Sequence, residues 1–224
     1  MSSIQIKDLV VGYDHQPAAS VGTFTVSKGE YVCIVGENGS GKTTFMKTLL
    51  GLLKPVSGTV EFNGICPDEI GWLSQQTAVQ KNFPASVREV VLSGFAGKLG
   101  YRFFYTKQEK QQAENNMKLT GCIAYQDQCF RELSGGQAQR ALLARALCAA
   151  DGYLLMDEPM AGLDPQAQNT FYQCIVALHE KGMTILMITH DHRSLQYADQ
   201  VLSFAQEVKI MAAHEYLKKV KNVG

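Results

Sequence analysis

An α/β domain on a mainly parallel sheet, interrupted by a mostly helical insertion, is the fold class this sequence predicts. Three observations carry that expectation. Short apolar runs, each the length of one strand, alternate with helix-forming stretches in both the first and the last third of the chain. One of them, Tyr31-Val32-Cys33-Ile34-Val35, is the apolar run of a strand buried on both faces. From roughly Thr77 to Ala150 the strand signals stop and helix formers take over.

In chain order, Ile4, Ile6 and Val10 predict an opening strand and Thr23 to Val26 a second. Tyr31 to Val35 ends in Gly36, and Gly41 to Leu52 reads as a helix. Thr59 to Phe62 and Ile70 to Leu73 are further strands. In the insertion, Ser86 to Ser93 is helical, and Thr106-Lys107-Gln108-Glu109 has the capping-box spacing that opens a helix to about Leu119. Gln137 to Ala149 is a third helix, rich in Ala, Leu and Arg. Beyond it, Tyr153 to Met156 is a strand. Asp164-Pro165 pairs an N-cap with proline at the first helical position, and Thr184 to Ile188 is a last apolar strand. The organisation expected is one domain over 1–224, with 1–76 plus 151–224 as core and 77–150 as the helical part.

Composition narrows the function classes. A chain of 224 residues with 46% hydrophobic content can bury a sizeable core. Charged residues reach only 19%, below the roughly 25% usual for globular domains, which leaves surface for partners. Zero formal charge argues against nucleic acid as a partner. The six cysteines form no CxxC pair and read as reduced, buried small residues. The polar N-terminus has no signal-peptide core, and no apolar run approaches the ~20 residues that span a bilayer, so no direct membrane insertion is expected.

Three motifs carry chemistry. Gly36-Glu37-Asn38-Gly39-Ser40-Gly41-Lys42-Thr43 fits G-x-x-x-x-G-K-[ST] between a strand and a helix. Glycine lets the backbone N–H groups of such a loop converge on phosphate, and the helix N-terminus favours anions. Lys42 then reaches β- and γ-phosphate and the Thr43 hydroxyl takes Mg²⁺. Tyr153 to Glu158 is an apolar strand ending in two carboxylates, where Asp157 suits Mg²⁺ and Glu158 suits a general base toward water. Leu133-Ser134-Gly135-Gly136-Gln137 precedes a helix. Alone it is either a capped turn or a second anion site.

Taken together, these motifs resemble, over the whole chain, the ATP-binding subunit of ABC transporters, with Leu133 to Gln137 in the place of that family's signature. The resemblance implies a P-loop NTPase fold: a RecA-like core with mainly parallel sheet, an N-terminal antiparallel β subdomain and an inserted α-helical subdomain. It implies ATP and Mg²⁺ as cofactors. Nucleotide contacts would come from Tyr13 on adenine and from Gly36, Asn38, Gly39, Ser40, Gly41, Lys42, Thr43 and Thr44. Ser134, Gly135, Gly136, Gln137 and Asp164 would contact it in trans, across a homodimer or paired ATPase subunit closed by ATP. Thr43, Gln75 and Asp157 would hold Mg²⁺. Glu158, His190 and Gln75 would be catalytic, with His190 at the γ-phosphate; standing alone, a histidine is more often structural, and His192 nearby invites a His-x-His metal reading. Ala161 stands where many relatives have Ser, and Ser203 to Glu207 lacks the glycine of the family's last hairpin, which leaves that turn's geometry open.

The resemblance also implies membrane permease subunits as partners and a peripheral place on the cytoplasmic face of the cell membrane. Phe83 to Val91 resembles the corresponding stretch of zinc and manganese importers. Other importers, an exporter, and a soluble ABC ATPase of the iron–sulfur assembly type stay open. Glu158 and His190 argue against a binding module without turnover. The apolar residues Phe83, Val87, Val91, Phe95 and Leu99, with Gly94, Gly97 and Gly100 between them, suggest a loose docking groove over about Gln75 to Arg102.

Overall fold

The structure, a computed structural model, describes residues 2–14, 16–74, 84–205 and 207–221. In chain order its main elements are β1 (Ser3–Tyr13), β2 (Gln16–Ser27), β3 (Tyr31–Gly36), α1 (Lys42–Leu49), β4 (Ser57–Asn63) and β5 (Ile70–Leu73). The insertion holds α2 (Val87–Leu92), α3 (Lys107–Leu119) and α4 (Gly135–Ala149). Then come β6 (Tyr153–Asp157), α5 (Pro165–Glu180), β7 (Thr184–Ile188), α6 (His192–Leu195), β8 (Gln200–Phe204), β9 (Val208–Ala212) and α7 (Ala213–Lys221).

The strands form two sheets. One is three-stranded and antiparallel, in the order β2-β1-β4; the other has the order β5-β6-β7-β3-β8-β9 and is parallel except for β9. Alternation within the parallel strands explains why both faces are apolar. Cys33, Val35, Leu154, Met156, Ile185 and Met187 point to one side, into a core shared with the helices of the insertion and with α5. Val32, Ile34, Leu155, Leu186, Ile188 and Leu202 point to the other, where they meet α1 (Phe45, Met46, Leu49) and β1 (Ile4, Ile6). A strand with water on neither face must read as a continuous apolar run, which is what residues 31–35 and 184–188 do.

The insertion's helices begin where their caps dictate. Ser86, Thr106 and Ser134 each accept a hydrogen bond from the N3 backbone N–H of their helix, while Glu89, Glu109 and Gln137 reach back to the cap residue's own N–H. Asp164 caps α5 through two backbone N–H groups, with Pro165 behind it.

Three expectations need correction, and one open point is resolved. The helix after the phosphate loop stops at Leu49, not Leu52, because Gly51 takes a left-handed φ of 69°. The turn that the glycine-free Ser203 to Glu207 stretch left open is a hairpin in which Phe204 pairs with Val208. Cys66 is exposed and Cys129 and Cys174 are half-buried, so only Cys33, Cys122 and Cys148 fit the buried reading. Of the apolar residues assigned to a docking groove, Val87, Val91 and Phe95 are core and Leu99 is half-buried. Val87, Val91 and Phe95 are at most 1% exposed, and a Cβ on Gly94 would lie 2.1 Å from the Arg145 carbonyl oxygen. Gly94 is therefore a tight contact with α4. Phe83 and Gln75 lie outside the described residues.

Candidate active site

Strand order assembles the site. β3 and β6 both pair with β7, in a register that sets Ile34 and Asp157 opposite Ile188. The loop after β3, the carboxylates ending β6 and Thr189-His190 after β7 therefore leave the sheet side by side, at the C-terminal ends of the strands.

The loop Gly36–Gly41 leads into α1 through Gly41, whose φ of 97° is left-handed and available to glycine at little cost. No side chain caps α1. Its first-turn N–H groups are thus presented without an internal acceptor, at the positive end of the helix. Lys42 is 5% exposed, and its Nζ donates to the carbonyls of Gly36 (2.9 Å) and Glu37 (2.7 Å), folding the ammonium over the loop. Burial pulls the Lys42 ammonium below its ordinary range, against the opposing pull of the Glu158 and Asp157 carboxylates. The Ser40 hydroxyl oxygen is buried with no partner among the described residues. An orphan of that kind in a loop of convergent N–H groups marks a place for a ligand's polar atoms.

Asp157 ends β6 and is 5% exposed; the Thr43 hydroxyl donates to its Oδ2 at 2.9 Å. Desolvation raises the Asp157 carboxyl, Thr43 lowers it, and neighbouring Glu158 raises it again. Glu158 itself has φ 47°, left-handed in a residue that gains nothing from it, a strain of about 1 kcal/mol or more. The bend turns its side chain toward His190, whose Nε2 lies 3.0 Å from Glu158 Oε1. A carboxylate only accepts, so Nε2 carries the proton in this pair.

Tyr13, at the end of β1, is 48% exposed. With Ala18, Asn38, Gly41, Lys42 and Thr43 it lines a cleft of about 520 Å³, into which Gly39, Thr44 and Glu158 also face. That volume suits a nucleotide-sized ligand. His190 faces a second opening of about 880 Å³ beside Glu37, Asn38 and Ser40, so the loop is accessible from two sides.

The structure does not bring Ser134, Gly135, Gly136, Gln137 or Asp164 to this cleft. The Ser134 hydroxyl and the Gln137 side chain are occupied in capping α4 (3.3 and 2.9 Å). Gly136 instead abuts α5: a Cβ there would sit 2.7 Å from the Ala167 methyl. The two helix N-termini, one capped by Ser134 and the other by Asp164, thus stand together on the surface. Gln75 lies outside the described residues.

Two features escaped the sequence reading. Ala18 lines the cleft from β2, and one alanine of an Ala-Ala pair carries no signal. Asp191 caps α6 and receives the Arg193 guanidinium, which also reaches Gln168 and lies 5.5 Å over the Tyr172 ring, fixing the backbone next to His190. An Asp two residues before an Arg at a helix start was the available sign.

A sequence profile of the family described as ABC transporter matches residues 21–161. The chain is 44% identical over 169 residues to a "Probable metal transport system ATP-binding protein" of Chlamydia trachomatis serovar D, covering 74% of this chain and 71% of that one. It is 34% identical over 223 residues to the zinc uptake system ATP-binding protein ZurA of Listeria monocytogenes serovar 1/2a, covering 95% and 87%. Among solved structures it resembles a dimeric post-hydrolysis state of an ATP-binding cassette bound to ADP and Pi. There the TM-score is 0.78 and the identity 26%, over 94% of this chain and 98% of that one.

Proposed function

The chain belongs to the ABC transporter family as its ATP-binding, ATP-hydrolysing subunit, and on that premise we propose that it works as a head-to-tail pair that powers metal-ion import, of the zinc or manganese kind, through separate permease subunits at the cytoplasmic face of a membrane. The observation that carries the paired reading is a mismatch within one chain. The phosphate loop is open and Ser134 and Gly135 are exposed, with Gly136 and Gln137 half-buried, but the turn stands outside the cleft that holds Lys42. A second chain placed head to tail supplies the missing wall. The dimeric cassette resembling this chain supports that reading, and the zinc and metal systems of the two relatives support the cargo class. Among the described residues no helix is long and apolar enough to cross a membrane, which fits a permease on separate chains.

Within the pair, the Gly36–Gly41 loop and the uncapped α1 bind the triphosphate, and Lys42 turns from its two carbonyls to the β- and γ-phosphates. Tyr13 offers its ring to adenine at the mouth of the cleft. The residues present fit Mg²⁺: Thr43 Oγ1 and Asp157 Oδ2 are oxygen donors already 2.9 Å apart, and Asp157 is a buried carboxylate short of compensating charge. When bound, the ion neutralises charge developing on the phosphates. Glu158 orients the attacking water and takes its proton. His190 holds Glu158 in place through the 3.0 Å contact and meets the γ-phosphate end. Ser134, Gly135, Gly136, Gln137 and Asp164 of the second chain close over the nucleotide, so losing the γ-phosphate loosens the pair. Gln75 is assigned to Mg²⁺ and water by resemblance alone, and 77–150 is the helical unit that carries the closing turn.

Capture from native membranes in Mg-ATP tests the transport reading. A multispanning membrane protein should co-purify, and vesicles holding both should accumulate Zn²⁺ or Mn²⁺ only with ATP. Capture of soluble assembly proteins instead, with no membrane partner, overturns it.

A further inference from the structure

The most exposed large apolar side chains among the described residues fall within four positions. Tyr101, Phe103 and Phe104 are 104%, 93% and 83% exposed, ahead of Leu52 at 63%. They occupy the turn between α2 and α3. Single exposed hydrophobics are ordinary; three aromatics side by side at full exposure are not.

The turn is built to hold them outward. Arg102, between them, is exposed but held within the turn: its guanidinium makes two hydrogen bonds to Glu109 (2.9 and 3.1 Å) and a third to the Lys98 carbonyl (2.9 Å). Glu109 is at the same time the capping-box residue of α3, and Tyr105 packs on the core. Both ends of the turn are thus pinned, and the aromatic residues flanking Arg102 stand in solvent. The surroundings are basic. Residues 98–110 hold Lys98, Arg102, Lys107 and Lys110 against Glu109 alone, a local +3 in a chain of zero formal charge. Phenyl and phenol rings ringed by lysines are the composition that partitions into the headgroup region of an anionic bilayer, with the rings entering the interface and the lysines meeting lipid phosphate.

We propose that the Tyr101–Phe104 turn is a membrane-contact point that rests on the anionic lipid surface, without spanning it, and orients the subunit. Charge complementarity selects this occupant: the turn combines full apolar exposure with an excess of cations. The inference is independent of the cargo assignment and of how a permease docks.

The isolated subunit should co-sediment with vesicles of phosphatidylglycerol and phosphatidylcholine in equal parts, far less with phosphatidylcholine alone, and progressively less as salt rises. Replacing Tyr101, Phe103 and Phe104 together by Ser should weaken binding about tenfold or more, and Lys98, Lys107 and Lys110 to Gln likewise. The thermal melt and basal ATPase of both variants should match wild type, since none of these residues lies in the nucleotide cleft. As a reading that leaves the turn's shape intact, Phe103→Trp in a Trp72→Phe background should blue-shift its emission on anionic vesicles only. Three results overturn the proposal: equal binding to neutral vesicles, Ser variants that still bind anionic vesicles as wild type does, or emission from the Phe103→Trp variant that ignores the vesicles. If the Ser variants keep vesicle binding but lose a permease solubilised in detergent, the turn is a protein contact instead. None of these failures touches the nucleotide site.

Discussion

Two helix N-termini in this chain face the same physical problem and solve it oppositely. α1 begins after the glycine-rich Gly36–Gly41 loop and α4 opens on Gly135-Gly136, and both present backbone N–H groups that want an acceptor. At α4 the chain supplies its own: Ser134 and Gln137 close a capping box. At α1 it supplies none, buries a lysine beside the gap and leaves the Ser40 hydroxyl unpartnered among the described residues. The capped end is stable by itself and exposed; the uncapped end is complete only with an anion. The difference teaches which helix end has room for an anion. On the pairing proposed above, nucleotide would go to α1, and the α4 turn would meet it as the face of a second chain.

The comparison breaks most visibly at turnover. Glu158→Gln should keep ATP binding and slow hydrolysis by roughly 10²–10⁴. With the γ-phosphate retained, light scattering should show Mg-ATP converting the variant from monomer to dimer. A variant that stays monomeric at saturating ATP contradicts the shared site. Lys42→Ala comes next. Losing a charge-assisted contact of about 1.5–3 kcal/mol should weaken ATP binding by roughly ten- to a hundredfold. Unchanged calorimetric affinity would remove Lys42 from the site.

A smaller effect follows from burial of Asp157. Its carboxyl is raised above the ordinary value, so the native state holds that proton more tightly than the unfolded chain does. The ionised form therefore costs stability at neutral pH, and the cost fades as pH falls through the folded value. Asp157→Asn should raise the nucleotide-free Tm at neutral pH by a few degrees, each ~1 kcal/mol being worth roughly 2–4 °C in a chain of this size. The gap over wild type should narrow in acid, and ATPase should be lost. A gap that widens toward acid would mean that the carboxylate is stabilised in place.

The finest test compares two caps of the same design. Ser134→Ala and Thr106→Ala should each cost about 1 kcal/mol by denaturant unfolding. Only Ser134→Ala should also lower ATPase and ATP-driven dimerisation. Equal activity in both would reduce Ser134 to a cap.

Much of this was legible in residues whose message is local. The phosphate loop, the three caps at Thr106, Ser134 and Asp164, and the doubly buried strands depend on neighbours within a few positions, so spacing reveals them. What stayed hidden depends on register. Glu158 and His190 meet because Asp157 and Ile188 are paired across β6 and β7, which no local pattern states. β9 and α7 were not expected either, since a half-exposed five-residue strand and a nine-residue helix lack a strong period. The docking assignment of Val87, Val91 and Phe95 failed for a related reason: an apolar residue announces burial, not which surface buries it.

The left-handed backbone at Glu158 makes position 158 a recorder of use. Glycine or asparagine would sit there with less strain, so under the role proposed for Glu158 it is the carboxylate's chemistry that keeps glutamate in place. In a descendant copy released from turnover, retained only to bind nucleotide or to brace a partner, relaxed selection should show first at this residue. The Gly36–Gly41 loop would persist longer, since binding alone still needs it. Reading the two positions together would tell a working engine from a retired one before any assay is run.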